Sequence, residues 1–507
     1  MNSGAANALP DWLESAARSF PERPALTFES RHWNFVELLA ATERATAMLA
    51  PIWTGRSGRI GILAANRPGF IIAVHAARWL GAPIVPLNWR LGRDELSWQI
   101  REAGVSLLLV DAEHEPLAGS EPVERFAIAR LEEPAVQASG TICSRTVNLA
   151  AEAAVLFTSG TGGRPKGARL TYGNFWQSAV GSMLHLGHRQ DDRWLAALPL
   201  FHIGGLSVVH RGAIGAVGID LQQRFDLDRT LEGIDRGATL VSVVPTVLRR
   251  LIDARGETPW PDMLRCVLVG GAPAAPSLIF EASLRGLPVA PTYGLTEACS
   301  QVTTLSPPLA MNIPASSGYP LPITRVRITS DDGPAPPGEP GQIEIAGPTL
   351  FSGYLAGTGP LTHTTSDGWF RTGDLGYMDA HGALYVVDRR DDLIVSGGEN
   401  VYPAEIERVL LEHPLVRDAG VVGLPHAQWG ARPAAAVVWD GDARSAEHDL
   451  RQHCAPRLAR FKIPDRITVL ARLPRSASGK LLRRELRHLL DMQTPKAEAD
   501  ASPDLAT

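Results

Sequence analysis

The segment Thr158-Ser159-Gly160-Thr161-Gly162-Gly163-Arg164-Pro165-Lys166-Gly167 follows directly on the apolar run Ala153–Phe157 and has the composition of an anion cradle. Glycines let a backbone curl until several N–H groups face one point, and the hydroxyls of Thr158, Ser159 and Thr161 with the Lys166 ammonium add donors and charge. No Gly-Lys-[Ser/Thr] closes the loop, so it is not a Walker A sequence, and Pro165 stands where a dinucleotide fingerprint has its third glycine. A flexible surface turn is the plain alternative for this segment taken alone.

Further along, Pro291-Thr292-Tyr293-Gly294-Leu295-Thr296-Glu297 joins an aromatic ring, hydroxyls and a carboxylate in a glycine-hinged turn. Mg²⁺ takes one or two carboxylates together with phosphate oxygens, a role open to Glu297; a helix N-terminal cap accounts for the same residues. Gly368–Asp374 and Val387–Asp392 offer an Asp to accept from ribose hydroxyls and an Arg to meet the sugar or a phosphate, or else a turn with a surface ion pair. Ser396-Gly397-Gly398-Glu399-Asn400 is a glycine turn feeding a helix, and Leu473–Lys480 ends in a lysine presented by small residues. Such an ammonium could meet a developing negative charge; a loop lysine otherwise only solubilises.

Positioning these groups needs a large scaffold. A chain of 507 residues exceeds one hydrophobic core, which predicts about two or three structural units. Helical patterns over Phe35–Leu49, Pro68–Leu80 and Arg93–Glu102 alternate with apolar runs at Arg59–Leu63, Pro83–Pro86 and Ser106–Val110, the signature of parallel α/β layers. Residues 111–147 turn polar without periodicity and read as an exposed connection. A second α/β run has apolar segments at Ala153–Phe157, Arg193–Leu198, Thr239–Val244 and Cys266–Gly270, with helices at Gly173–Leu186 and Val247–Ala254. After Ser316 short β-like runs with turn signals predict a small β subdomain, and the last hundred or so residues mix helix and strand as a compact α+β unit. Beyond Met492 the Ala-, Asp- and Pro-rich tail predicts disorder.

With 45% hydrophobic and 20% charged residues the composition is that of an ordinary globular protein. A formal charge of −5 gives no basic field, which counts against nucleic acid as the main ligand. The four cysteines, Cys143, Cys266, Cys299 and Cys454, form no CxxC pair, so neither a zinc site nor a disulfide framework is signalled. The start shows no signal-peptide pattern, and the most apolar stretch, Phe70–Leu87, is broken by His75, Arg78 and Pro83, short of the ~20 clean apolar residues of a membrane span. A cytoplasmic enzyme is the expectation, with no membrane span and with self-association left open.

Taken in order, these motifs resemble the adenylate-forming acyl-CoA synthetase superfamily over nearly the whole chain. Asp192-Arg193-Trp194, Leu198-Pro199-Leu200-Phe201-His202-Ile203-Gly204-Gly205-Leu206, Gln223-Arg224-Phe225 and Thr296–Leu305 narrow the likeness to the o-succinylbenzoate:CoA ligases of menaquinone biosynthesis. One departure is in the phosphate loop, where the family usually has Thr-Ser-Gly-Thr-Thr-Gly-Lys-Pro-Lys-Gly; Gly162 loses a side-chain donor and Arg164 replaces lysine.

The resemblance implies ATP, Mg²⁺ and coenzyme A as reaction partners of a small carboxylic acid. It implies an α/β fold: a large N-terminal domain, 1–388, of two doubly wound subdomains plus a small β subdomain, then a small mobile α+β lid, 389–492, and a disordered tail, 493–507. By the same carry-over Thr158, Ser159, Gly160, Thr161, Gly163 and Lys166 grip phosphates, Gly270, Gly271, Ala272 and Pro273 line the base pocket, and Tyr293 beside Gly294 stacks on adenine. Thr296 bonds the α-phosphate, Glu297 holds the metal, and Asp374 and Arg389 hold the ribose. Lys480 bridges carboxylate and α-phosphate. His202 borders the acyl site, with a buried structural histidine as its alternative, and Gly397, Gly398 and Glu399 serve from the lid, with Asp391 as hinge. For a dicarboxylate such as o-succinylbenzoate, a cation or several donors must neutralise the second carboxylate, and Arg224, Ser300, Gln301 and Thr303 are the candidates. A ligase for medium-chain fatty or arylalkanoic acids shares every ATP motif, and a degenerate nucleotide-binding protein is the non-catalytic alternative. Carrier-charging relatives share the first step, but no carrier domain follows Lys480, which favours free coenzyme A as acceptor.

Overall fold

The computed structural model describes residues 7–133, 145–158, 165–330, 333–355, 364–389, 392, 394–396, 399–426, 430–458, 460–476 and 479–492. The chain divides into two compact units, the first running to Thr372 together with Gly376–Val386, the second comprising Gly373–Leu375 and the residues from Val387 onward.

The first unit holds two large sheets. One has seven strands in the order Gly353–Tyr354, Lys166–Thr171, Glu152–Thr158, Ile84–Pro86, Arg59–Leu63, Val105–Val110 and Glu124–Ala127. The expected strands and helices of this region are present, the helices at Phe35–Trp53, Pro68–Trp79 and Arg93–Glu102. Within 111–147 the structure corrects the expectation of an exposed connection. Glu124–Ala127 pairs in parallel with Val105–Val110, and Phe126, Ile128 and Leu131 are buried. A four-residue strand shows too little of its period for a sequence pattern, and the unpaired edge of Val105–Val110 supplies the pairing that local propensity does not.

The second sheet has nine strands: Tyr319–Pro320, Ser300–Thr304, Val289–Leu295, Cys266–Val269, Leu240–Val243, Arg193–Ala196, Gly218–Leu221, Pro24–Phe28 and Arg31–Asn34. From Val289–Leu295 through Gly218–Leu221 the neighbours are all parallel. The segments leaving their C-terminal ends therefore share one edge, the place where open α/β sheets gather ligand-binding loops. A common core joins both sheets, with Ile60, Ile62 and Leu107 from the first, Trp194, Leu221 and Leu268 from the second, and Phe35, Phe70 and Phe175 from the helices. Each such side chain contributes about 1.5–3 kcal/mol on leaving water. A five-stranded sheet, led by the antiparallel pair Arg325–Ser330 and Gly341–Ala346, is the expected small β subdomain.

In the second unit the hairpin Val416–His426 and Gly430–Trp439 carries one core on each face. Val421, Ala435 and Val437 face the helices Pro403–Leu411 and Ala443–Cys454, while Val422, Ala434 and Ala436 pack on Leu486 and Leu490 of the helix Arg483–Met492. Adjacent residues serve opposite cores because strand side chains alternate. Among the described residues no helix is long and apolar enough to cross a membrane.

Candidate active site

The phosphate-loop candidates lie between antiparallel strands. Thr158 ends one and Lys166, its register partner, begins the next. Ser159, Gly160, Thr161, Gly163 and the two departures, Gly162 and Arg164, lie outside the described residues. The Lys166 strand continues in pairing with Gly353–Tyr354, with Ala168 opposite Tyr354. That register brings Lys166 Nζ to 5.1 Å from the Tyr354 ring, and the Tyr354 hydroxyl donates to Glu297 Oε1 at 2.7 Å. The Glu297 carbonyl accepts from Phe351 N–H at 2.8 Å. Three residues far apart in sequence are thus joined: a cation, a phenol and a carboxylate. Burial and then the Glu297 charge push the Tyr354 hydroxyl well above its ordinary value, so it stays protonated and donates.

Glu297 sits just beyond the parallel strand Val289–Leu295, in a single 3₁₀ turn, Thr296–Ala298. Its neighbour along the same sheet edge is the Gly270–Pro273 turn, which leaves the strand Cys266–Val269. Gly270 is dictated by close approach: a Cβ there would lie 2.7 Å from Thr292 Cγ2. Tyr293 is half-buried against the core and Gly294 is exposed where the strand register shifts between them. Among the described residues no group of three or more His, Cys, Asp or Glu could hold a metal. Glu297 uses one oxygen on a phenol and keeps further lone pairs, a donor set that suits Mg²⁺ bound mainly through phosphate oxygens rather than a protein-enclosed ion.

His202 caps the helix Ile203–Gly215, at the end of the loop that follows the strand Arg193–Ala196. Asn66 fixes that loop, accepting from Leu200 N–H at 2.9 Å and donating to the carbonyls of Leu198 at 2.9 Å and Gln222 at 3.0 Å. His202 stands edge-on to Phe201, 4.6 Å between centroids, and its Nε2 is buried with no partner among the described residues. Burial and the nearby Arg90 hold its pKa down at about 4, so the ring is neutral near pH 7.

The same helix carries a residue absent from the sequence reading. Arg211 is 3% exposed, and no described carboxylate pairs with it. Its guanidinium stands 5.2 Å from the Trp194 ring, one Nη donates to Ser300 Oγ at a long 3.4 Å, and Nε has no partner among the described residues. Burial lowers its pKa to about 10, still leaving it a cation at neutral pH. Ser300 itself is held at φ 102°, after Cys299 at φ 54°, conformations costly for residues with a Cβ. Ser178 Oγ on the facing helix donates to the Cys299 carbonyl at 2.6 Å and helps to hold that turn. Gln301 is buried, its Nε2 donating to Thr304 Oγ1 at 2.8 Å and its Oε1 without a partner.

Residues 13–355 match the AMP-binding enzyme family and residues 405–480 the AMP-binding enzyme C-terminal domain. This chain belongs to the AMP-binding enzyme family. It is 41% identical over 484 residues to the 2-succinylbenzoate--CoA ligase of Bacillus thuringiensis subsp. konkukian (strain 97-27), covering 95% of this chain and 99% of that protein. The o-succinylbenzoate CoA synthetase of Bacillus subtilis in complex with the acyl-adenylate intermediate OSB-AMP is similar at TM-score 0.88 and 40% identity, over 95% of this chain and 98% of that one. The same Bacillus subtilis synthetase in complex with ATP and magnesium ion gives TM-score 0.88 and 40% identity, over 95% and 100%.

The remaining expected positions are placed one by one. Thr303 is buried and donates its hydroxyl to the Ser317 carbonyl at 2.7 Å, which commits that donor to the fold. Arg224 is exposed on the loop after the strand Gly218–Leu221, and among the described residues it makes no ion pair. Asp374, 9% exposed, lies on the strand Phe370–Met378. Of Arg389 and Glu399 only the strand backbone is described, and Asp391, Gly397 and Gly398 lie outside the described residues. Lys480 lies in the second unit at the base of a tight hairpin, its N–H donating to Ser476 Oγ at 3.1 Å. The signal that could have found Arg211 is its place in Gly204-Gly205-Leu206-Ser207-Val208-Val209-His210-Arg211-Gly212, an otherwise uncharged stretch with no acid one helical turn away.

Proposed function

We propose that this enzyme converts o-succinylbenzoate to o-succinylbenzoyl-CoA, in the cytoplasm, with ATP cleaved to AMP and pyrophosphate, as a step of menaquinone biosynthesis. The substrate carboxylate attacks the α-phosphorus of ATP and pyrophosphate leaves; the thiol of coenzyme A then displaces AMP from the acyl-adenylate. The observation that carries the substrate choice is Arg211: a buried cation that, among the described residues, has no anion, beside Ser300 and a Gln301 oxygen likewise without a described partner, is a site built for an incoming carboxylate. A fatty-acid site has no use for that charge.

Lys166 and Thr158 bind the β- and γ-phosphates, Thr296 donates to the α-phosphate, and Tyr293 with the Gly270–Pro273 turn receives the base. Glu297, oriented by Tyr354, would hold Mg²⁺, which when bound offsets phosphate charge. Asp374 and Arg389 take the ribose hydroxyls. His202, neutral and backed by aromatic neighbours, borders the acyl group without competing for its charge. Lys480 neutralises the carboxylate and α-phosphate as the new bond forms, and a hinge at Asp391 lets the lid serve first adenylation and then, through Gly397, Gly398 and Glu399, thioester formation.

Coenzyme A-dependent AMP release measured over o-succinylbenzoate, benzoates and hexanoate tests the reading, with o-succinylbenzoate expected to give the highest kcat/KM. Preference for hexanoate would overturn it in favour of a fatty acid ligase. Glu297→Gln is expected to lower adenylation about 10²-fold and to raise the Mg²⁺ concentration at half-maximal rate; an unchanged Mg²⁺ dependence would remove Glu297 from the metal.

A further inference from the structure

We infer that Arg475 is a positioning residue for Lys480, acting through an ion pair with Asp418; this rests on Lys480 being the adenylation lysine. The hairpin from Pro474 to Leu482 is closed by Leu482 N–H to the Pro474 carbonyl at 2.9 Å, Ser476 N–H to the Lys480 carbonyl at 2.7 Å, and Gly479 N–H to the Ser476 carbonyl at 2.9 Å. Backbone bonds alone set its shape but not its placement on the domain. Leu473 and Leu481 pack its two arms on the sheet, and Arg475 adds a directional tie. Its Nε donates to Asp418 Oδ2 at 2.8 Å, one Nη bonds Asp418 Oδ1, and the other donates to the Gly479 carbonyl at 2.7 Å. One planar group thus joins the strand Val416–His426 to the peptide immediately before Lys480.

The strand is shaped for this contact. Its register shifts between Val416 and Asp418, a bulge of the kind that re-aims a side chain. Asp418 Oδ1 is fixed further by the Ala419 N–H at 2.9 Å. Two residues on, Gly420 leaves room for the hairpin: a Cβ there would stand 2.9 Å from Leu481 Cδ2 and 2.8 Å from Leu486 Cδ2. With side chains 26% and 24% exposed, the pair adds little stability of its own, so its value is directional. Lysine in place of Arg475 could reach the carboxylate or the carbonyl but has no fork to hold both.

The test measures the two half-reactions separately, pyrophosphate release for adenylation and thioester formation from supplied acyl-adenylate. Arg475→Met is expected to lower the adenylation kcat by about 10–100-fold, with KM for ATP and acid and the thioester rate each within about twofold. Arg475→Lys should fall between wild type and Arg475→Met, and Asp418→Asn added to Arg475→Met should cost nothing further, since the two act as one unit. Unchanged adenylation in Arg475→Met, or equal loss in both half-reactions, overturns the inference. Arg475→Lys decides the matter by the same ratio should Arg475→Met fail to fold. Lys480→Ala in parallel separates the levels. If it leaves adenylation intact, the reading of Lys480 falls and this inference with it; if it abolishes adenylation while Arg475→Met does not lower it, only the inference falls.

Discussion

Lys480→Ala is expected to lower acyl-adenylate formation by about 10²–10³-fold, about 2.7–4 kcal/mol of transition-state stabilisation, while thioester formation from supplied acyl-adenylate keeps most of its rate. The reasoning is electrostatic. As the carboxylate oxygen reaches the α-phosphorus, negative charge gathers on the bridging and equatorial oxygens, and a fixed ammonium is worth most where charge develops. The second step ejects AMP and returns negative charge to the same phosphate oxygen, but in the proposed division of labour the lid has by then replaced Lys480, so other groups must stabilise that charge. The hairpin around Lys480 is already formed, with its N–H on Ser476 Oγ and its carbonyl on Ser476 N–H, so the lysine is held at its backbone before substrate arrives. Single-turnover pyrophosphate release and thioester formation, run side by side, check the division. Equal loss in both would assign Lys480 to the fold, or to both steps, and end the proposed division of labour.

What the sequence made legible was local. The strand before Thr158 was legible because its apolar residues are consecutive and a glycine-rich loop ends them, whereas its antiparallel partner Lys166–Thr171 was not anticipated. Thr296-Glu297 stood out as a hydroxyl and a carboxylate in a glycine-hinged turn, whereas Gly270–Pro273 came from the family resemblance alone. What escaped depends on contacts between distant residues. Tyr354 lies 57 residues from Glu297, and nothing in its own neighbourhood announces that its hydroxyl will meet that carboxylate. The commitment of Thr303 to the Ser317 carbonyl is likewise invisible, because a threonine on a strand presents the same pattern whether its hydroxyl faces a pocket or a loop. Arg211 escaped because no helix was expected over Ile203–Gly215, whereas the packing of that helix against the strand Ser300–Thr304 makes it a buried cation.

That buried cation makes the sharpest test of substrate identity. Arg211→Met keeps an unbranched flexible stem and removes the charged head, and should raise KM for o-succinylbenzoate by about 30–10³-fold, the 2–4 kcal/mol lost when one partner of a desolvated charge pair is removed. The monocarboxylate that lacks the ring carboxylate should be turned over by the variant as well as by wild type or better, which a general disruption of the pocket would not produce. Stability should move the other way. In the free enzyme Arg211 has one long bond to Ser300 and an unpartnered Nε, and burial already lowers its pKa to about 10, so charge removal is neutral or stabilising and Tm should not fall. On the proposed reading, wild type spends folding free energy to keep a cation with no described counter-charge and recovers it when the dicarboxylate binds. Added o-succinylbenzoate should therefore raise Tm in wild type far more than in Arg211→Met. Arg224→Ala, exposed and outside this charge balance, should change KM by no more than about twofold. An unchanged KM for o-succinylbenzoate in Arg211→Met would remove the clamp, and with it the ground for preferring an aromatic dicarboxylate to a simple acid.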